Sequence, residues 1–232
     1  MYVKRLLDLS IAIAGLAALL PILLVTALII FFLDGRSPIF VSKRAGKNGK
    51  AFDMLKFRTM RFSSNSAGPS STAIDDFRIT RVGAILRRFK IDETLQLLNV
   101  IRGEMSLVGP RPQVTWAVES YSPMEQLMLA VRPGITDIAS IVYADEATIL
   151  RGSGNPDADY DTLIRPGKSQ LGLFYVENRS CYFDVSILAL TVIGIIDRNR
   201  SLNYLLNLLT RREAPEDLRQ LVRASIARNR HN

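Results

Sequence analysis

Twenty-five consecutive residues, Leu9 to Leu33, carry no charge. A helix rises about 1.5 Å per residue, so this run is long enough to cross the roughly 30 Å hydrocarbon core of a bilayer. It is too long for the apolar part of a secretory signal, and FLDGRSPIF after it has no small-x-small cleavage pattern. Pro21 stands at its midpoint, where it removes a helix hydrogen bond and clashes with the carbonyl of Ala17. A kinked spanning helix is one reading, because membrane helices tolerate proline. A re-entrant hairpin is the other: each half is 12 residues, about 18 Å of helix, too short to span. Lys4 and Arg5 precede the run, and Arg36, Lys43, Arg44, Lys47, Lys50, Lys56, Arg58 and Arg61 follow it against Asp53. Basic flanks prefer the cytoplasmic side, and here both are basic, which favours the re-entrant form.

The net charge of +8 calls for an anionic partner: lipid headgroups, nucleotides or nucleic acid. One cysteine, Cys181, permits no intramolecular disulfide. The one histidine, His231, is the penultimate residue. A Ser–His–Asp or Cys–His mechanism and a zinc site of His and Cys are therefore set aside. Enzyme chemistry, if present, rests on carboxylates, Lys, Arg, Tyr, Ser or a metal held by oxygen.

Pro38 to Val41 and Phe52 to Phe57 read as short strands around the turn sequence AGKNGK. Residues 62–73 read as a polar connector. Ile74 to Ile101 reads as largely helical, with Ile91, Leu95, Leu98 and Ile101 on one face and Asp92, Glu93 and Gln96 projecting elsewhere. Arg102–Gly103 is its stop. Gly109–Pro110–Arg111–Pro112 must be a stiff extended turn. A helical stretch runs to about Leu129, and Arg132–Pro133–Gly134 is another turn. Residues 145–170 read as an irregular surface segment, and Tyr182 to Ile196 as a core or interfacial helix too short to span. The expected architecture is α+β: a mostly helical membrane-associated domain with a small β element, an N-terminal re-entrant membrane helix and interfacial amphipathic helices. Residues 1–34 form the membrane segment, 35–197 the catalytic domain and 198–232 a basic tail or amphipathic helix.

Asp92–Glu93 is an acidic pair in a basic field. Lys56 and Arg58 lie in LKFRTM, five cations from Arg78 to Lys90 precede the pair with no acid between Phe77 and Ile91, and Arg111 sits in the proline turn. One account is bland: acids are common in the first turn of a helix, and the basic residues form a lipid-facing surface. The other is chemical. Basic residues hold a diphosphate while a carboxylate attacks phosphorus, with charge on the phosphoryl oxygens neutralised by Arg, Lys and a divalent cation. An Arg on a stiff turn binds phosphate bidentately without first ordering the backbone. Mg²⁺ needs only one or two carboxylates beside phosphate and water, so Asp92 and Glu93 suffice.

The chain resembles the bacterial sugar transferases, the monotopic polyprenyl-phosphate phosphoglycosyl transferases. The resemblance rests on the N-terminal segment YVKRLLDLSIAIAGLAALLPILLVTALII, on SPIFVSKRAGKNGKAFDMLKFRTM, on ITRVGAILRRFKIDETLQLLNVIRGEMSLVGPRP and on VRPGIT, in that order. It implies that Asp92 attacks the β-phosphate of a UDP-sugar, releasing UMP and leaving a phosphosugar on the aspartate. Polyprenyl (undecaprenyl) phosphate then displaces the aspartate, giving a polyprenyl-diphosphosugar, a first membrane step of glycoconjugate assembly. Glu93 falls on the partner carboxylate, Lys56, Arg58, Arg87 and Arg111 on phosphate-binding positions, and Pro21 on the helix-breaking proline. The resemblance also implies Mg²⁺, phospholipid contact and a place on the cytoplasmic face of the bacterial inner membrane, with self-association open. Two departures stand out. Leu20 replaces the serine that often precedes the proline, and DIASIVYADEATILRGSG follows RPGIT where many members have GWAQVNGR, so the sugar is undetermined. The alternative is a membrane-anchored basic protein that binds anionic lipid or nucleic acid without catalysis; it gives the Asp–Glu pair no task, and the chain has no aromatic-interleaved basic motif, so nucleic acid is not the expected partner.

Overall fold

In the computed structural model, which describes residues 2–61 and 71–230, the apolar run lies within one helix, α1 (Tyr2–Asp34). The helix break expected at Pro21 is absent: the backbone stays helical through it, from Tyr2 to Asp34. One stripe of α1 is buried, Asp8, Ala12, Leu23, Thr26 and Ile30, at intervals that keep to one helical face. Its outer side, including Leu20, Leu24, Leu28, Phe31 and Phe32, is exposed.

Both halves of α1 are fixed to the rest of the chain. In the first half, Lys4 donates to Asp184 at 2.7 Å and to the Val108 carbonyl at 3.1 Å. Arg5 caps the end of α3 (Gln96–Arg102) through the carbonyls of Val100 and Ile101, at 2.7 and 3.0 Å. Buried Asp8 accepts from the Ser106 hydroxyl at 2.8 Å and the Leu107 amide at 3.1 Å. In the second half, Leu23 and Ile30 pack with Phe57, Leu86 and Leu95. Lys4 and Arg5 are thus not free flanking charges, as their sequence position suggests; they bind the domain.

The expected hairpin is present. Strands β1 (Ile39–Ala45) and β2 (Ala51–Phe57) pair antiparallel, with Phe40 opposite Lys56 and Arg44 opposite Phe52. Side chains alternate, so Ser42, Arg44, Met54 and Lys56 share one face, while Phe57 on the other meets α1. Asn99 of α3 clips β2 in place: its amide oxygen accepts from Leu55 N–H at 3.0 Å and its nitrogen donates to the Asp53 carbonyl at 2.8 Å.

Three readings need correction. The continuous helix expected from Ile74 to Ile101 is instead α2 (Arg81–Arg88), a 3-10 turn Ile91–Glu93 and α3, with Lys90 left-handed at φ 58° between them. The apolar spacing survives because the helical sense resumes at once, but Asp92 and Gln96, expected to project away from the core, are buried. The segment 145–170 is largely helical: after α6 (Ile138–Val142) come α7 (Glu146–Ile149), α8 (Pro156–Asp159), a π-helical turn Tyr160–Ile164 and α9 (Arg165–Asn178). Pro166 falls in the first turn of α9, directly after the π-helical turn. The expected tail forms two helices beyond α10 (Cys181–Ile196): α11 (Arg198–Arg211) and α12 (Glu216–Arg230). Leu202, Leu205, Leu209 and Val222 are fully buried in the main core. Asp145 binds Arg198 at 2.7 Å and Arg228 at 3.1 Å, holding both helices to the region of α6. Amphipathic spacing alone does not say whether an apolar stripe meets lipid or protein. Of the polar connector, 62–70 lies outside the described residues, as does His231.

A short parallel pair, β3 (Ser106–Val108) and β4 (Gly134–Thr136), lies beside α1 and α10. It explains why VGPRP and VRPGIT occur together. A Cβ on Gly134 would stand 2.1 Å from the Gly109 nitrogen, and one on Gly109 would stand 2.5 Å from the Arg132 carbonyl. Only glycine at both positions lets these backbones meet. Between the strands lie α4 (Thr115–Glu119), α5 (Pro123–Gln126) and a 3-10 turn Leu127–Ala130.

Replacing Asp8 by Ala leaves a buried hydroxyl and a buried amide without their acceptor, at a cost of about 1–3 kcal/mol. Thermal unfolding of detergent-solubilised Asp8→Ala should show a lowered Tm; an unchanged Tm would mean that these bonds do not anchor α1.

Candidate active site

Three distant segments meet at Glu93. Lys56, on β2, donates to its Oε1 at 2.9 Å. Arg111, in the proline turn after β3, holds both carboxylate oxygens, through Nη2 to Oε1 and through Nη1 to Oε2 at 3.2 Å. Alternation along β2 and the Asn99 clip aim Lys56 at the turn, and Pro110 and Pro112 stiffen the backbone behind Arg111. Burial on its own would raise the Glu93 pKa, but Arg111 and Lys56 outweigh it and hold the carboxyl well below the ordinary range.

Asp92 sits beside this arrangement without sharing it. It is 7% exposed, and its Oδ1 is buried with no hydrogen-bond partner. Burial, then the charge of Glu93, push its pKa up, against the pull of Lys56, Lys90 and Arg87. Left-handed Lys90 turns the chain so that Asp92 points inward, a local strain of the kind that collects at functional sites.

Arg87 of α2 donates through Nε to the Thr59 hydroxyl at 2.9 Å and lies near enough to Asp92 for their charges to interact. Gly83 permits this approach of α2, since a Cβ there would fall 2.0 Å from the Thr59 carbonyl. Arg58 follows β2, tied by its amide to the Pro38 carbonyl at 2.8 Å, with Nη1 buried and unpartnered. The structure therefore brings Lys56, Glu93 and Arg111 into contact, sets Asp92 and Arg87 beside them, and places Arg58 at the neighbouring strand end.

Sequence reasoning missed three residues. Arg44 was read as a flanking charge, yet it shares the Lys56 face of the hairpin and lies close to Arg111 and Glu93; strand alternation could have found it. Gln96, one turn beyond Asp92, is fully buried with both amide atoms unpartnered. Thr59 positions Arg87, which no local pattern announces. Among the described residues no cluster of three or more His, Cys, Asp or Glu could hold a metal. Asp92 and Glu93 fit Mg²⁺ only as part of a site completed by substrate phosphate and water.

The two carboxyls contribute to stability with opposite sign. A carboxyl raised by folding stabilises below its ordinary range and loses that contribution as pH rises through the raised value, so ionised Asp92 weighs against the fold near neutrality. The lowered Glu93 contributes above the ordinary glutamate range and loses it as pH falls through its lowered value. Near neutral pH, Asp92→Asn should raise the Tm, an advantage that shrinks on acidification. Glu93→Gln should destabilise, because it leaves two half-buried cations without their carboxylate. Thermal unfolding across pH checks both signs; equal shifts in one direction would contradict the division between the two carboxyls.

Comparison with known proteins bears on this geometry. The chain is 37% identical over 204 residues to the exopolysaccharide production protein ExoY of Sinorhizobium fredii, covering 82% of this chain and 83% of that protein. It is 33% identical over 198 residues to a UDP-N-acetylgalactosamine-undecaprenyl-phosphate N-acetylgalactosaminephosphotransferase of Aeromonas hydrophila, covering 84% of this chain and 44% of that one. A UDP-galactose-lipid carrier transferase of Erwinia amylovora is 32% identical over 215 residues, with 85% and 41% covered. The chain thus spans most of ExoY and less than half the length of the other two. The match to the bacterial sugar transferase family runs over residues 1–198, from the start of the chain to the first residue of α11 and across every site residue described above, and the chain belongs to that family.

Proposed function

We propose that this chain transfers a phosphosugar from a UDP-sugar to polyprenyl phosphate through a covalent aspartyl intermediate. The observation that carries the reading is the unequal state of the two adjacent carboxylates. Glu93 is bound by Lys56 and Arg111, whereas Asp92 is buried beside them with an unpartnered oxygen. A carboxylate without an ion pair, and with a raised pKa, is the better nucleophile. Asp92 attacks the β-phosphorus, the bond to the bridging oxygen breaks, and UMP leaves with that electron pair. The phosphate of the lipid then attacks the same phosphorus and frees Asp92. Lys56, Arg111 and Arg87 neutralise charge on the phosphoryl oxygens, with Glu93 holding the first two in place. Arg58 completes the basic rim. Mg²⁺, held by Asp92 or Glu93 with substrate oxygens, would supply further neutralisation. The names of the Aeromonas and Erwinia relatives support the substrate classes.

The membrane part of the reading is re-entrant. α1 is long and apolar enough to cross a bilayer by length and composition. Its ends, however, are held to one body: Lys4, Arg5 and Asp8 at the start, Leu23 and Ile30 further on. A helix standing across the bilayer could not keep both ends on a domain confined to one face. The exposed side of α1 and the exposed Tyr182, Val185, Val192 and Ile196 of α10 then meet lipid, with the site on the cytoplasmic face.

UMP release from UDP-sugars in the presence of polyprenyl phosphate and Mg²⁺ tests the activity directly, and a panel of sugars would identify the donor. Asp92→Asn should abolish turnover while membrane association persists, and a phosphosugar adduct should be trapped on an Asp92 peptide. Normal turnover in Asp92→Asn would sink the covalent route. Arg111→Lys keeps the charge but loses the planar fork, so it should lower the rate about ten- to a hundredfold, roughly 1.5–3 kcal/mol. For topology, a Cys at position 2, with Cys181 replaced, should resist an impermeant thiol reagent in intact cells and label after permeabilisation; labelling of intact cells would mean that α1 spans.

A further inference from the structure

The hairpin face that carries Lys56 also carries Arg44, nearer the turn. Arg44 and Lys56 stand four registers apart, about 13 Å along the strands. At the far end of β2, Arg58 joins the Pro38 carbonyl just after α1, so that end lies toward the apolar helix and the Arg44 end away from it. The site therefore has a direction, with Lys56, Glu93 and Asp92 between two basic ends.

Beside the Arg44 end, Ala45, Gly46, Arg111, Gln113 and Tyr121 line a small groove. Arg44 has no ion pair among the described residues; its side chain donates to the Ser42 hydroxyl at 3.2 Å. Burial and then the charge of Arg111 bring its pKa down to about 10, so two like charges interact here and an anion would relieve them. Gln113 donates through Nε2 to the Tyr160 hydroxyl at 3.3 Å, which leaves its amide oxygen and one N–H uncommitted by that bond. Lys168 lies over the Tyr160 ring at 5.1 Å and Arg165 over the Tyr121 ring at 5.6 Å, so each aromatic is steadied from one side. Tyr160 opens the π-helical turn, a rare geometry often found at functional sites.

We propose that this end of the groove holds the nucleoside monophosphate half of the donor, with Arg44 on the α-phosphate and Gln113 with Tyr160 at the base. This rests on the transfer reading above. When the β-phosphorus bonds to Asp92, the bridging oxygen keeps the electron pair and becomes part of UMP. The charge that gathers there falls on Arg44, and Arg111 serves both phosphates. A side-chain amide pairs with the imide edge of uracil, accepting from its N–H and donating to its carbonyl.

The test measures UMP affinity by calorimetry in the Asp92→Asn background, where no turnover intervenes, together with KM for each substrate in the otherwise native enzyme. Arg44→Gln should weaken UMP binding at least tenfold and raise KM for the UDP-sugar, with KM for polyprenyl phosphate unmoved. Gln113→Ala should narrow the preference for UMP over CMP. Lys50→Ala, which removes an exposed charge at the hairpin tip, should change none of these. Arg44→Lys covers the case in which Arg44→Gln does not fold, and should weaken UMP binding to a lesser degree. UMP affinity unchanged on substituting Arg44, or a shift in KM for the lipid instead of the nucleotide sugar, overturns the assignment while UMP release by the native enzyme upholds the transfer reading. Absence of UMP release from every UDP-sugar overturns both.

Discussion

The carboxylate of Glu93, clasped by Lys56 and Arg111, is the contact around which the site is organised. Its partners lie 37 residues upstream and 18 residues downstream, so one acid joins a strand, a 3-10 turn and a proline-stiffened turn. Ion pairs of this kind gain little net stability, because desolvating the charges offsets most of their attraction. Their consequence is positional. With Glu93 committed to the cations, Asp92 is left buried and unpartnered at the same point in space. Each carboxyl obtains its character from the other: one holds the basic groups, and the other keeps a buried oxygen without a hydrogen-bond partner.

That arrangement depends on close backbone approaches well away from the charges. Gly109 against Gly134 sets the turn that carries Arg111, and Gly83 against Thr59 sets the helix that carries Arg87. Asn99 fixes the register of β2 on α3, and so the reach of Lys56. Helix α1 takes part as well. Asp8 bonds to Ser106 and Leu107 of β3, so the long apolar helix is also a strut beneath the strand that leads into the proline turn. Loss of a contact at α1 would therefore be felt at the Glu93 cluster through β3.

Much of the local architecture was legible. AGKNGK between two apolar runs marked the hairpin, Gly103 ends α3 at the anticipated stop, and a charge-free run of 25 residues marked the long helix. Asp92, Glu93, Lys56 and Arg111 stood out because acids are conspicuous among cations and prolines make an arginine rigid. Arg44 was less visible, since its role requires knowing which face of the hairpin Lys56 occupies. Gln96 was invisible, because a polar residue opposite an apolar stripe ordinarily faces water. The helices at the end of the chain were misread for the converse reason: an amphipathic stripe looks the same whether it covers lipid or, as for Leu202, Leu205 and Val222, a protein core.

The sequence by itself determined the elements whose causes are local. These are the apolar helix, the hairpin turn, the stiffness around Arg111, and the exclusion of histidine and cysteine chemistry by composition. Only the tertiary structure decided which of two adjacent carboxylates is neutralised and which is left free. It alone placed both ends of α1 on one body and directed the Arg44 end of the hairpin away from that helix. The physical reason is range. Backbone preferences and periodicity act within a few residues, whereas a carboxyl takes its pKa from burial and from charges brought to it across the fold, here by Lys56 and Arg111.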